Sequence, residues 1–164
     1  MISGRRCLAA AGLLSIMMVS AGCRVGCWEE GFVCEFFRGE RRTMYERMAH
    51  YSVEDQWKLY QYGVRGFHPP FLLLGPIANR GDVAARFAVG KMQQARDGLD
   101  YWMVLIVFRE MIRKRNVDVC GRPEYFDVLV QGEARVPDPG WRKIYQGVLQ
   151  HMCPASALAA PGTP

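Results

Sequence analysis

The residues with the most distinctive chemistry in this 164-residue chain are its cysteines: Cys7, Cys23, Cys27, Cys34, Cys120 and Cys153. A cysteine can carry a lipid, form a disulfide, bind zinc or act as a nucleophile, and the redox compartment decides which of the last three is favoured. The compartment to which the chain is delivered therefore has to be inferred first, from the N-terminal residues.

Residues 1–22 have the features of a secretory signal peptide. Arg5 and Arg6 form a positively charged start, and an apolar segment of the expected length runs from Leu8 to Val19. That segment is too short for an uninterrupted membrane-spanning helix, which needs about 20 apolar residues. The stretch Val-Ser-Ala-Gly-Cys at 19–23 resembles the bacterial lipobox, which implies cleavage before Cys23 and acylation of that residue.

Two neighbouring residues affect whether the chain is predicted to be lipidated and in which membrane it is anchored. Ser20 occupies a position that more often holds leucine in a lipobox, so secretion without a lipid is the alternative. Arg24 stands where an aspartate would signal retention in the inner membrane. By resemblance to that sorting rule, the expected location is the cell envelope, with the protein anchored by lipid in the outer membrane and facing the periplasm.

After acylation of the first mature residue, the cysteines left for other chemistry are Cys27, Cys34, Cys120 and Cys153. An even number of cysteines in an oxidising compartment predicts two disulfides, with three possible pairings. We favour Cys27–Cys34, which closes a short loop, and Cys120–Cys153, which ties the end of a central helix to the C-terminal helix. No C-x-x-C spacing supports a zinc site, so neither a metal nor a cofactor is predicted.

Few other residues have the types or the spacing of a catalytic site. His50, His68 and His151 form no metal-binding pair, and the sequence contains no G-x-S-x-G motif or glycine-rich phosphate loop. Glu110, beside Arg109, does interrupt an otherwise apolar segment. An envelope enzyme that acts on peptidoglycan or lipid through Glu110 is therefore the alternative function, although the solvated edge of a helix explains the same residues more simply.

The charge of the chain argues against nucleic acid as a partner. The formal charge is +5, and removal of the signal peptide leaves 19 basic and 16 acidic side chains. The basic residues are dispersed, and no long basic block is interleaved with aromatic residues as a nucleic-acid surface would need. A modest net positive charge is better explained by solubility.

The apolar segment that contains Arg109 and Glu110 is predicted to be a central helix over 97–116. Apolar residues recur with helical spacing at Tyr101, Val104, Leu105, Phe108, Met111 and Ile112. Acidic residues precede the segment and basic residues follow it, which suits the helix macrodipole. The other faces of its first half are also apolar, so that half should be buried on nearly all sides.

The remaining pattern predicts an all-α fold. Helices are expected at Val53–Gly66, Phe71–Asn79, Asp82–Arg96, Glu124–Gln131 and Trp141–Met152, with capping boxes at Thr43–Glu46 and Ser52–Asp55. Residues 23–42 are expected to form a lipidated tether with a short disulfide hairpin or irregular loop. A single helical domain over 43–153 and a disordered tail over 154–164 complete the predicted organisation.

Two helix pairs, Val53–Asn79 and Asp82–Asn116, follow each other at a period of roughly thirty residues. Their order resembles HEAT-type α-helical repeats, which implies stacked helix pairs and a protein-binding surface. An irregular helical bundle is the alternative. The leading functional hypothesis is a non-catalytic, lipid-anchored envelope protein that binds another protein, and its specific version is an immunity protein against a periplasm-acting toxin.

Overall fold

Every regular element in the part of the chain that the structure describes is a helix. The structure is a computed structural model, and it describes residues 31–66 and 71–154. The helices are α1 (Gly31–Arg38), α2 (Met44–Ala49), α3 (Val53–Arg65), α4 (Phe71–Ala78), α5 (Asp82–Gln94), α6 (Gly98–Lys114), α7 (Pro123–Arg135) and α8 (Pro139–Met152), with a 3-10 turn at Arg41–Thr43. The predicted all-α fold is confirmed.

The helices lie in two rows. In the first row α1 packs against α3, α3 against α5, and α5 against α7. In the second row α2 packs against α4, α4 against α6, and α6 against α8. Within each successive pair, the first-row helix also contacts the second-row helix that follows it in sequence. The first-row helices begin at Gly31, Val53, Asp82 and Pro123, so the pairs are unevenly spaced along the chain.

Helix α6 contributes more buried residues than any other helix of the described ranges. Met103 to Phe108 are all buried, as are Tyr101 and Met111. Both predicted features of the segment, a helix and an almost fully buried first half, are confirmed. Helix α6 packs against α4 and α8 in its own row and against α5 in the other row. Because of these three neighbours, no face of its first half is fully exposed to solvent.

The ends of α6 follow from its flanking residues. The Asp97 side chain accepts a hydrogen bond from the Asp100 backbone N–H at 2.8 Å, which satisfies one donor of the first turn. At the other end Arg115 adopts a left-handed conformation (φ 56°), and the Asn116 N–H bonds back to the Met111 carbonyl at 3.1 Å. That pattern stops a helix by satisfying its last carbonyls. The observed ends lie within two residues of the predicted ones.

Buried tyrosines connect the two rows through hydrogen bonds. The Tyr60 hydroxyl of α3 donates to the Met103 carbonyl of α6 at 3.4 Å, and the Tyr145 hydroxyl of α8 donates to the Leu129 carbonyl of α7 at 2.9 Å. Burial raises the pKa of both phenols well above the ordinary value, so both remain protonated donors.

The expected hairpin or irregular loop near the N-terminus is wrong for residues 31–38, which form helix α1. Val33 and Phe36 of α1 are buried in the same hydrophobic core as the other helices, and Phe36 makes an edge contact with Tyr51 at 5.9 Å between ring centroids. A segment of only eight residues has little helical stability of its own. The stability of α1 therefore comes from its packing on the hydrophobic core.

Two further local expectations need correction. The Thr43 side chain makes no capping bond to its helix and instead donates to the Glu40 carbonyl at 3.1 Å, whereas Ser52 does cap α3 by accepting from the Asp55 N–H at 3.1 Å. Helix α7 extends four residues beyond its expected end, to Arg135. Its Gly132 lies where a Cβ would be 2.9 Å from the Met92 sulfur, so close packing, rather than a helix end, explains that glycine.

Candidate functional site

The cysteines are the first predicted site residues to place. Cys120 and Cys153 form a disulfide with a Cα–Cα distance of 5.6 Å, which links the segment after α6 to the C-terminal end of α8 and confirms that pairing. Cys34 lies in α1 and is disulfide-bonded, with its partner outside the described residues. The predicted signal peptide, Cys23 and Cys27 also lie outside them, so the lipid-attachment site and the Cys27–Cys34 pairing remain predictions.

Glu110, the candidate catalytic carboxylate, is held by an arginine of its own helix. Arg113 donates from Nε and from a terminal nitrogen to the two Glu110 oxygens, both at 2.7 Å. This bidentate hydrogen bonding holds the pKa of the Glu110 carboxyl below its ordinary value. A carboxylate that is stabilised in its ionised form is a poor general acid near neutral pH.

Neither His50 nor His151, the two histidines among the described residues, forms a catalytic pair with Glu110. His50 is exposed at the end of α2, His151 is exposed in the last turn of α8, and His68 lies outside the described residues. Within residues 31–66 and 71–154, no group of three or more His, Cys, Asp or Glu side chains is placed to hold a metal ion. No helix in those ranges is both long enough and apolar enough to cross a membrane.

The structure instead brings Arg109 and Glu110 to the edge of an open groove between α4 and α6, which we call the α4–α6 groove. Its volume is about 310 Å³, and its lining residues are Leu74, Ile106, Arg109, Glu110 and Arg113. Leu74 and Ile106 are almost fully buried at its base, while Arg109 and Arg113 are exposed. The groove therefore combines an apolar base with cationic edges.

A second groove, the α6–α8 groove, lies on the other side of Arg109. It has a volume of about 380 Å³ and is lined by Arg109, Lys143, Ile144, Gly147, Val148 and His151. Ile144 is 48% exposed, and Val148 is half-buried. No hydrogen bond or ion pair to another described residue engages the charged ends of Arg109 and Lys143, so both cations remain available to a ligand.

Sequence reasoning identified Arg109 as part of this region but missed the α8 residues. Lys143, Gly147 and His151 recur at i, i+4 and i+8 beside the apolar residues Ile144 and Val148, and α8 contains no Asp or Glu. That pattern was visible in the sequence. It could not be joined to Arg109 without knowing that α6 and α8 are neighbours.

The remaining described grooves are less suited to binding. A pocket of about 110 Å³ beside Trp57 is smaller, and one of about 260 Å³ after α6 is lined by both Arg115 and Asp118, so its charge is mixed. A third, of about 460 Å³ on α3, is lined by Lys58 and Arg65. Arg65 is already paired with Asp100 at 2.7 Å. The two grooves that meet at Arg109 are therefore the candidate functional site.

Comparisons of the chain with protein-family models, with curated proteins and with solved structures found no match.

Proposed function

We propose that this chain is a non-catalytic, lipid-anchored protein of the bacterial envelope whose helical body binds another protein. The observation that carries the proposal is the pair of open grooves that meet at Arg109. They combine apolar residues with exposed cations, and two of these cations, Arg109 and Lys143, make no hydrogen bond or ion pair to another described residue. Such a composition is typical of surfaces that bind other proteins.

The order of helix contacts supports the finer proposal of stacked, HEAT-like helix pairs. Each described helix makes its main contacts with helices of its own row and with its pair partner in the other row. Helices α4 and α5 also make a minor contact, and the other contacts between described helices are weaker. Solenoid proteins are built from contacts of this kind, and they present one row of helices as an extended binding surface. We assign that role to the second row.

The state of Glu110 supports a non-catalytic function over an envelope enzyme. Its two oxygens are occupied by Arg113, and the other charged residue at the α4–α6 groove is the cation Arg109. Acid–base catalysis needs a group that can gain and lose a proton near the working pH. The salt-bridged carboxylate favours the ionised form throughout that range.

Protein binding is tested by cross-linking in the native envelope. The full chain carries a C-terminal affinity tag and is cross-linked to its neighbours in intact cells. The amount of each partner recovered with the tagged chain is then measured while an untagged copy of the chain is expressed at rising levels. We expect one partner that the competitor displaces in a saturable manner. Repeated recovery of no displaceable partner would contradict the proposed function. For the immunity version, the expected partner is a secreted toxin, and expression of the chain should protect cells exposed to it.

Lipid anchoring is tested separately with Cys23→Ser. We expect the wild-type chain to fractionate with membranes and to incorporate a labelled fatty acid, and we expect the variant to incorporate none. Equal labelling of both chains would contradict acylation at Cys23 and leave protein binding unaffected.

A further inference from the structure

We infer that the α6–α8 groove is the binding site for an acidic amphipathic helix of a partner protein. This identification rests on the proposed protein-binding function and specifies the surface and the chemistry of the partner. Two features of the groove support it, its charge and its apolar residues, and Gly147 beside them leaves room for a partner.

The charge around the groove has one sign. Helix α8 contains Arg142 and Lys143 and no acidic residue, and Arg109 lies on the facing side of the groove. Arg142 is occupied because it donates to the Val136 carbonyl at 2.7 Å. Arg109 and Lys143 have no such partner among the described residues. Asp or Glu side chains of a partner would pair with both of them.

The apolar residues of the groove favour a helix as the bound element. Ile144 is exposed beside Lys143, and Val148 follows one turn later along α8. Residues four apart on a helix lie on one face, so Ile144 and Val148 form a short apolar line along the groove. An amphipathic helix presents an apolar stripe with charged residues at its edges, which matches an apolar line flanked by two cations.

Gly147 lies between these two apolar residues, and nothing in the fold accounts for it. It is exposed in the interior of α8, and a Cβ built on it would have no atom outside its own helix within 4 Å. Glycine destabilises a helix interior relative to alanine, so a glycine without a structural reason has a cost. At this groove Gly147 leaves room for the close approach of a partner backbone, because small residues allow helices to pack closely.

Two other occupants fit the groove less well. A lipid bilayer is a flat surface that would cover the exposed Ile144 and leave the half-buried Val148 uncovered. A second copy of this chain could offer its acidic helix α7, but docking α7 of one copy onto α8 of the next joins two different surfaces. Such a contact propagates into open-ended assemblies unless it closes into a ring.

Three synthetic peptides test the inference against the purified full chain. They share the same helical pattern of Leu and Ala and differ only in having Glu, Gln or Lys at the polar positions. We expect fluorescence anisotropy to show binding of the Glu peptide, with affinity at least about tenfold above that for the Gln peptide, and a decrease at high salt. Equal or tighter binding of the Gln or Lys peptide would overturn the inference.

Substitutions locate the binding within the molecule. Arg109→Glu with Lys143→Glu should abolish binding of the Glu peptide, and Gly147→Ala should weaken it about tenfold. The matched controls lie on the first row: Arg86→Glu with Arg135→Glu makes the same change in net charge at exposed positions, and Gly90→Ala fills another empty space in a helix interior. Equal effects of groove and control variants would overturn the inference.

Further measurements identify the other occupants. Vesicles of phosphatidylethanolamine and phosphatidylglycerol are tested with full chains carrying Cys23→Ser, and sedimentation velocity reports self-association. If Arg109→Glu with Lys143→Glu abolished vesicle binding or self-association while no chain bound the Glu peptide, the inference would be wrong in favour of a lipid surface or a second copy. If the envelope partner were recovered equally with that double variant, the groove assignment would fail and the proposed function would stand.

Discussion

The two rows of helices share one hydrophobic core and differ in their charged side chains. The first-row helices carry six basic and seven acidic residues, and the second-row helices carry six basic and three acidic residues. In the first row Asp82 accepts from both Arg122 and Tyr125, and Lys58 lies near Glu54 and Asp55. Both rows also hold exposed cations without a hydrogen bond or ion pair to another described residue. These are Arg86 and Arg135 in the first row, and Arg109 and Lys143, which meet at the α6–α8 groove, in the second.

Paired charges that hold the fold can therefore be distinguished from the unpaired charges at the α6–α8 groove, which are available for binding. Asp82 lies at the start of α5 and Arg122 lies just before α7, so their ion pair at 2.6 Å connects neighbouring first-row helices. Removal of such a charge should change stability. Removal of Arg109 or Lys143 should change only what the surface binds, since exposed unpaired charges contribute little to folding.

The largest effect is expected where the two rows depend on each other. Phe108 of α6 is fully buried and contacts the Tyr125 ring of α7 at 5.9 Å between ring centroids. Phe108→Ala should lower the free energy of unfolding by about 3–5 kcal/mol through loss of burial and a cavity. Thermal and urea unfolding measure it. An unchanged melting temperature would show that α6 is not the shared core of the two rows.

The disulfide should have the next largest effect. Cys120 and Cys153 are 33 residues apart in sequence, and their link restricts the unfolded chain. Cys120→Ser with Cys153→Ser should lower the free energy of unfolding by about 2–4 kcal/mol. Unfolding of the wild-type chain with and without reductant provides a second measurement. No change in either experiment would show that packing alone holds the end of α8 against the rest of the second row.

Asp82 tests whether first-row charges hold the fold. The Tyr125 hydroxyl donates to Asp82 at 3.0 Å in a partly buried contact, and Arg122 lies over the Tyr125 ring at 4.5 Å. Asp82→Asn removes the charge and should lower the free energy of unfolding by about 1–2 kcal/mol, because hydrogen bonds to charged groups are stronger than neutral ones. Lys143→Gln is the second-row control and should be nearly silent. Equal losses from both substitutions would remove the distinction between the rows.

The two unexplained glycines should respond alike in stability. Gly147→Ala in the second row and Gly90→Ala in the first row should each raise the free energy of unfolding by about 0.5–1 kcal/mol, because alanine is the better helix former and both sites have room for a methyl group. Urea unfolding measures both. A loss of stability in Gly147→Ala alone would show a packing role for Gly147 and weaken the argument for a docked partner.

The smallest effect concerns Glu110, whose pKa is lowered in the folded protein chiefly by the hydrogen bond from Arg113. A group whose folded pKa is below its unfolded pKa stabilises the protein above the unfolded value, and that contribution is lost as the pH falls through the folded pKa. Glu110→Gln should therefore cost about 0.5 kcal/mol near neutral pH and nothing in strong acid. A pH series of urea unfolding measures it.

Arg113→Ala supplies the control for this pH dependence. It should itself be nearly silent for folding, since the Arg113 side chain is 69% exposed. In the Arg113→Ala background, Glu110→Gln should lose most of its pH-dependent effect. A pH-dependent cost that persisted in that background would assign the lowered pKa to groups other than Arg113.

Much of the helical structure was predictable because helix signals are local. Helix α6 followed from its apolar spacing and from Asp97, and α3 followed from the Ser52 cap. Helix α1 was not predicted, although its apolar residues Phe32, Val33, Phe36 and Phe37 recur at helical spacing. So short a helix depends on the burial of Val33 and Phe36 in the core. Helix α4 remains continuous through Gly75 and Pro76, two residue types that ordinarily destabilise a helix interior.

The sequence by itself determined the all-helical class and the approximate bounds of the long helices, because side-chain spacing and caps act over a few residues. It left three cysteine pairings open, and the structure decided that Cys120 bonds to Cys153. Only the tertiary structure decided which helices are neighbours. Arg109 of α6 and Lys143 and Gly147 of α8 line one groove because two rows of helices bury a common core. Such contacts depend on packing between distant segments, which no local pattern in the chain specifies.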